Sequence, residues 1–375
     1  MKWDIQTVGF HAKDELLETT KESVEKLEKY YSPIIGAEIY LKLQYDDQKE
    51  NKKVEIKRMP SNIVIEAIAY ELPPHIITSL SIEEQISANL EKFGIPLGNL
   101  ERLTGIAERR YWDPGTAPSD VATIAARKVI EESGIDPEEI GCIINTSVSK
   151  DYIEPSVACL VHGNLELSPF CRNYDIGNAC LGFVDGINDI MMMLEAGKIK
   201  YGLVVNGESS REPIEATIKK LQDPELSMTT FRENFATLTL GSGAVAMILT
   251  HKDNSSSGHL INGSVSMAAT AFNRLCVGQR DGGISQPHEL LVAGVGLAIE
   301  AWELCKEQLD NWSDEKIDLY APHQVSIPHI NMLSEALEIT LEKVFLNVQT
   351  LGNIGPAALP ITLKMAEEAG RLVKG

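Results

Sequence analysis

The chain has no Cys-x-x-Cys pair, and its six cysteines are scattered at Cys142, Cys159, Cys171, Cys180, Cys276 and Cys305 over 375 residues. A zinc ribbon and a disulfide scaffold are therefore excluded, and a reducing, cytoplasmic compartment is expected. No uninterrupted apolar run approaches the ~20 residues of a membrane helix, so no membrane span is expected. The N-terminus, Met1-Lys-Trp-Asp, lacks the apolar core of a secretory signal. Basic charge is scarce, with 34 Lys/Arg against 54 Asp/Glu and a net charge of −20. Such a surface repels phosphates, and no nucleic acid partner is expected. Gly241-Ser-Gly243 is too short for a phosphate loop, and no metal-ligand spacing is present, so neither a metal nor another cofactor is expected. What remains is a globular composition, 43% hydrophobic and 23% charged.

The chain divides at Met59-Pro60-Ser61-Asn62. Before it, residues 3–8 alternate as a strand, and Leu16, Leu17, Val24, Leu27 and Tyr30 recur at helical spacing over 12–31. Strands follow over 35–45 and 53–57, giving β-α-β-β. This order, with the string GFHAKDELLETTKESVEKLEKYYSPIIGAEIYLKL, resembles part of the ribosome hibernation promoting factors. That family has the order β-α-β-β-β-α and binds the small ribosomal subunit through basic helices. Residues 1–58 lack its fourth strand and second helix and hold 11 basic against 12 acidic residues, so no ribosome binding is expected.

Beyond residue 59 strands and helices alternate. Strands are expected over 63–70, 142–148, 173–180, 202–207, 244–250, 260–267, 319–323 and 345–351, and helices over 121–133, 155–165, 182–196, 291–309, 328–336 and 357–369. The alternation predicts an α/β architecture rich in parallel strands, with its site at their carboxyl ends. The division is then 1–58, 59–250 and 251–375.

Three strand ends carry chemistry-bearing residues. Asn178-Ala-Cys180-Leu-Gly-Phe183 sets a cysteine before a helix, where amides and the helix dipole would lower its pKa. The other five cysteines lack this setting and are assigned to packing. His323 follows the apolar stretch Leu319-Tyr-Ala-Pro, with His329 a weaker second candidate. Asn353 sits between Gly352 and Gly355. Taken singly these are a core cysteine, a loop histidine and a turn; together they make a nucleophile, a base and an oxyanion donor.

These motifs resemble the thiolase superfamily, specifically ketoacyl synthase III. The stretches Thr104-Gly-Ile-Ala-Glu-Arg-Arg110 and Leu240-Gly-Ser-Gly-Ala-Val-Ala246 match further motifs of that family. Ser149-Lys-Asp-Tyr-Ile-Glu154-Pro, Val205-Asn-Gly-Glu208 and His323-Gln-Val-Ser-Ile-Pro-His329 are most similar to the long-chain acyl-CoA head-to-head condensing enzymes of bacterial olefin biosynthesis. The resemblance implies a thiolase-like αβαβα five-layer sandwich of two five-stranded halves. Only three strands are counted in the second half, which is expected to lack its last two.

The resemblance also implies roles. Cys180 takes an acyl group from acyl-CoA or acyl carrier protein, His323 and Asn353 bind the second thioester's oxygen, and Glu154, delivered across a homodimer interface, removes an α-proton from the acyl-enzyme. Glu154 beside Pro155 also reads as an ordinary acidic residue at a helix start. Such a base needs a raised pKa in an apolar channel, which Phe183 and Met191 to Met193 would help line unless they are helix core. Alternatives are a decarboxylative 3-oxoacyl-ACP synthase III using a malonyl donor, an inactive thiolase-like partner subunit, and a hydroxymethylglutaryl synthase, whose pattern Asn353 fits less well.

Overall fold

The computed structural model describes residues 2–8, 36–46, 49–58, 61–255, 258–279, 282–309 and 311–372. In the first segment β1 (Lys2–Val8) pairs parallel with β2 (Gly36–Asp46), and β2 pairs antiparallel with β3 (Lys49–Arg58). The helix expected over 12–31 lies outside the described residues.

The central sheet is built from β4 (Ile63–Glu71), β7 (Ile140–Asn145), β8 (Arg172–Asp175), β9 (Tyr201–Glu208), β10 (Gly243–His251) and β11 (His259–Leu260). Their order across it is β11-β4-β10-β9-β7-β8. β7 pairs parallel with both β8 and β9, while β10 runs antiparallel to β4 and β9. Two small two-stranded antiparallel sheets lie outside it: β5 (His75–Thr78) with β6 (Glu108–Tyr111), and β12 (Cys276–Gln279) with β13 (Gly282–Ser285).

Every residue of β9 is buried, because helices cover both sheet faces. On one face the helix Pro118–Ser133 packs Val121, Ala122, Ala125, Ala126 and Val129 onto Ile143, Leu203 and Val205. That one-sided spacing, the proline in the first turn and the left-handed Gly134 cap define this helix. On the other face the helices Gly182–Glu195 and Ala358–Glu368 bring Phe183, Ile190, Met191, Ala358 and Ile361 against Ile144, Val204 and Met247. Phe183 and Met191 are thus core residues, whereas Met192 is exposed. Cys142 and Cys171 pack as expected, but Cys159 and Cys276 are exposed and Cys305 is half-buried.

The five strands expected in the first half all form, with two corrections. β7 stops at Asn145 rather than 148, because the Val148 and Ser149 amides bond to the Glu208 side chain instead of a strand. β8 stops at Asp175, and Cys180 lies on a separate 3-10 turn, Ala179–Leu181.

The second half departs further. The strand over 260–267 shrinks to β11, that over 319–323 to a single bridge between Tyr320 and Val344, and residues 348–351 of the last one are the helix Val348–Leu351. Strands persist only where a neighbour continues the ladder, and here Gln324 ends it. Its Nε2 donates to the Phe345 carbonyl (2.9 Å), and its Oε1 accepts from the Asn347 (3.1 Å) and Val348 (3.2 Å) amides. The helix Pro287–Gln308 has no buried residue among those described. Among the described residues no helix is long and apolar enough to cross a membrane.

Leu203→Ala on β9 should lower unfolding free energy by about 2–5 kcal/mol, measured by urea denaturation, since its side chain is fully enclosed between sheet and helix. A loss under about 1 kcal/mol would contradict that packing.

Candidate active site

The site forms at the carboxyl ends of β7 and β9 and is completed by the second half of the chain. After β7, the Thr146 amide bonds to the Val205 carbonyl (2.9 Å), which keeps the chain beside β9. The next stretch is pinned from outside. Lys150 Nζ pairs with Asp175 Oδ2 (2.6 Å), and Asp151 accepts from the Ser119 hydroxyl (2.7 Å) and amide (3.2 Å). Asp175 also accepts the Val157 (3.1 Å) and Ala158 (2.9 Å) amides at the start of the helix Val157–Asn164.

Glu154 lies on the exposed loop between these anchors, before a cis peptide bond to Pro155. The helix is capped by Ser156, whose hydroxyl accepts from the Cys159 amide (3.1 Å), and its first turn holds no acidic residue. Glu154 is therefore not a helix-start charge.

Cys180 is half-buried on its turn, and the helix Gly182–Glu195 starts two residues later. Ala179, before it, has a φ of +44°, a left-handed conformation that a non-glycine residue adopts at a cost. The lowered thiol pKa expected from the helix end is not found. Burial first, and the Glu208 charge next, push the Cys180 thiol up to about 11.

His323 and Asn353 meet at the turn Gly355–Ala357, which packs against the Cys180 turn. Asn353 is held by its backbone: its amide bonds to the Thr239 carbonyl and its carbonyl to the Gly241 amide, both 2.9 Å. Its Oδ1 accepts the Gly355 amide (3.0 Å), which orients the side chain and turns the Nδ2 donor the other way. His323 lies beside the Gly355 backbone and His329. Burial, reinforced by His329, lowers its pKa to about 4, so the ring is neutral near pH 7. Among the described residues no group of His, Cys, Asp or Glu could hold a metal ion.

Two buried charged residues lie inside the quoted motifs but were given no site role there. Glu208, 6% exposed, accepts from the Val148 amide (2.7 Å) and the Ser149 hydroxyl (2.8 Å). Burial pushes its carboxyl up to about 7. Arg109, fully buried, donates to the Ser79 hydroxyl and the Leu238 carbonyl, both 3.0 Å. The signal for Glu208 was an acidic residue closing an apolar strand. For Arg109 it was the first of two adjacent arginines inside a recognised motif.

A half-buried cysteine before a helix, a neutral histidine and an oriented asparagine amide on a doubly covered α/β sheet define a thiolase-like acyltransferase. Known proteins support that class. The 3-oxoacyl-acyl-carrier-protein (ACP) synthase III C-terminal family matches residues 308–375. The acyl-CoA:acyl-CoA alkyltransferase of Xanthomonas campestris is 39% identical over 314 residues, covering 84% of this chain and 93% of that protein. The enzyme of the same name from Shewanella oneidensis is 40% identical over 328 residues, again covering 84% and 93%. A crystal structure of a cysteine-to-serine variant of Xanthomonas campestris OleA with bound lauric acid and lauroyl-CoA matches with a TM-score of 0.82, at 38% identity, covering 84% of this chain and 94% of that one. The chain belongs to the acyl-CoA:acyl-CoA alkyltransferase family, within the synthase III branch of the thiolase superfamily.

With its thiol held high, Cys180 should be alkylated by iodoacetamide at a rate that still climbs beyond about pH 9, read peptide by peptide in a mass spectrometer. A plateau by about pH 8 would show a stabilised thiolate and contradict the burial described.

Proposed function

We propose that the protein condenses two acyl-CoA molecules head to head, without decarboxylation, to a 2-alkyl-3-ketoacyl product. The observation that carries this is the convergence of the Cys180 turn, His323 and Asn353 on Gly355, in a chain 39% identical to an acyl-CoA:acyl-CoA alkyltransferase. Cys180 Sγ attacks the first thioester carbonyl, and CoA leaves as its thiol with the cysteine proton. Glu154 then removes an α-proton from the acyl-enzyme. The carbanion attacks the second acyl-CoA, whose carbonyl oxygen takes hydrogen bonds from neutral His323 and from Asn353 Nδ2, and the second CoA thiolate is expelled. The 2-alkyl-3-ketoacyl group remains a thioester on Cys180 for release.

The acting unit is a cytoplasmic homodimer in which Glu154 serves the partner's site. Two features support this. Glu154 is exposed in its own subunit beside Ile153 (97% exposed), and β8 is an edge strand preceded by Phe170 (90% exposed). Residues 59–250 supply Cys180 and Glu154, residues 251–375 supply His323 and Asn353, and residues 1–58 form a separate unit.

Glu154→Gln should leave acylation of Cys180 by lauroyl-CoA intact while condensation falls by roughly 10²–10⁴-fold, followed by product mass without any malonyl donor. Mixed dimers of Glu154→Gln and Cys180→Ala chains should regain turnover at one site. A requirement for malonyl-CoA, or failure of the mixed dimers, would overturn the assignment.

A further inference from the structure

Glu208 closes β9, a strand whose other residues are apolar or small apart from Asn206, and its side chain turns inward. Burying a carboxylate is costly unless hydrogen bonds replace its water. Here all the donors are neutral. Oε1 accepts the Val148 amide (2.7 Å) and, at longer range, Asn206 Nδ2 (3.4 Å). Oε2 accepts the Ser149 amide (3.2 Å) and hydroxyl (2.8 Å). The Ser149 hydroxyl in turn accepts the Ser209 amide (3.2 Å), so the stretch after β7 is laced to the end of β9. From there the chain passes the Lys150 and Asp151 anchors and reaches Glu154. On its other side the Glu208 carboxyl carbon lies 3.9 Å from where a Cβ on Gly355 would sit, and its charge acts on the Cys180 thiol.

We propose that Glu208 is a positioning residue for the condensation: its carboxylate fixes the Val148 and Ser149 backbone from which the Glu154 loop departs, and holds a negative charge against the Cys180 turn. The loop half of this rests on Glu154 being the α-proton base. A glutamine keeps the shape but turns an NH2 donor towards either the Val148 or the Ser149 amide, so one side of the clamp opens. Aspartate keeps the charge but cannot reach as far. The other titratable groups around the pair, Cys276 near the Cys180 thiol, His323 beside Gly355 and His329 near His323, are left as they are.

The experiment uses the full chain as wild type, Glu208→Gln and Glu208→Asp, with thermal unfolding recorded for each. Three quantities are read: the pH profile of Cys180 alkylation by iodoacetamide, the single-turnover acyl adduct with lauroyl-CoA, and condensation turnover. For Glu208→Gln the alkylation profile should move to lower pH, the adduct should still form, and turnover should fall by roughly a hundredfold. For Glu208→Asp the profile should stay near wild type while turnover falls, which keeps the test open should the glutamine variant fail to fold. An unmoved profile in Glu208→Gln, or wild-type turnover in either variant, would overturn the proposal. Glu154→Gln is assayed alongside. If it condenses like wild type, the base assignment has failed, and Glu208 is judged on the alkylation profile alone.

Discussion

Two backbone hydrogen bonds at Asn353, to the Thr239 carbonyl and from the Gly241 amide, join the halves of the chain at the point where the chemistry is assembled. They demand close approach. A Cβ on Gly241 would lie 1.9 Å from the Leu351 carbonyl oxygen, so no other residue fits that turn. The same seam is reinforced by the 104–110 motif. The Ala107 amide reaches the Gln349 carbonyl (2.9 Å), Ile106 packs with Ile330, Val344 and Val348, and Arg109 ties Leu238 to Ser79. A motif recognised only by likeness thus acquires a structural role. It seats the second half against the first, so that His323 and Asn353 face the Cys180 turn.

The site that results is defined by burial. Cys180 and Glu208 are pushed up and His323 is pushed down, each towards its uncharged form. A neutral histidine can donate a hydrogen bond to a thioester oxygen, and a little-hydrated pocket suits an apolar acyl chain and a developing carbanion. The two buried groups also act on stability with opposite signs. The folded chain keeps the Glu208 proton between pH 4.5 and about 7, where the unfolded chain has lost it, so this contribution falls as pH rises. His323 stays neutral in the folded chain between 6.5 and about 4, where the unfolded chain takes up a proton, so its contribution falls as pH drops.

How legible the fold was differs between the halves. Four of the five strands of the first half were readable because each is an apolar run bounded by turns, and the sheet neighbours needed to satisfy its backbone are in place; the polar β8 is held by its parallel pairing with β7. The stretches over 319–323 and 345–351 have the same apolar signature, but periodicity does not report whether a neighbour exists, and Gln324 took the backbone groups instead. Likewise the position of Cys180 before a helix was visible, but its protonation was not. A local dipole argument omits the burial and the Glu208 charge that arrive from other strands.

The sequence by itself determined the α/β class, the family and the identities of Cys180, His323, Asn353 and Glu154 as candidates, because these depend on local periodicity and contiguous motifs. The tertiary structure alone decided that the Cys180 turn, His323 and Asn353 converge on Gly355, that Glu154 stands on an exposed loop rather than at a helix start, and that Glu208 binds the Val148 and Ser149 amides from which that loop departs. Those facts depend on hydrogen bonds and burial between residues up to well over a hundred positions apart, and no local pattern in the chain encodes such distances.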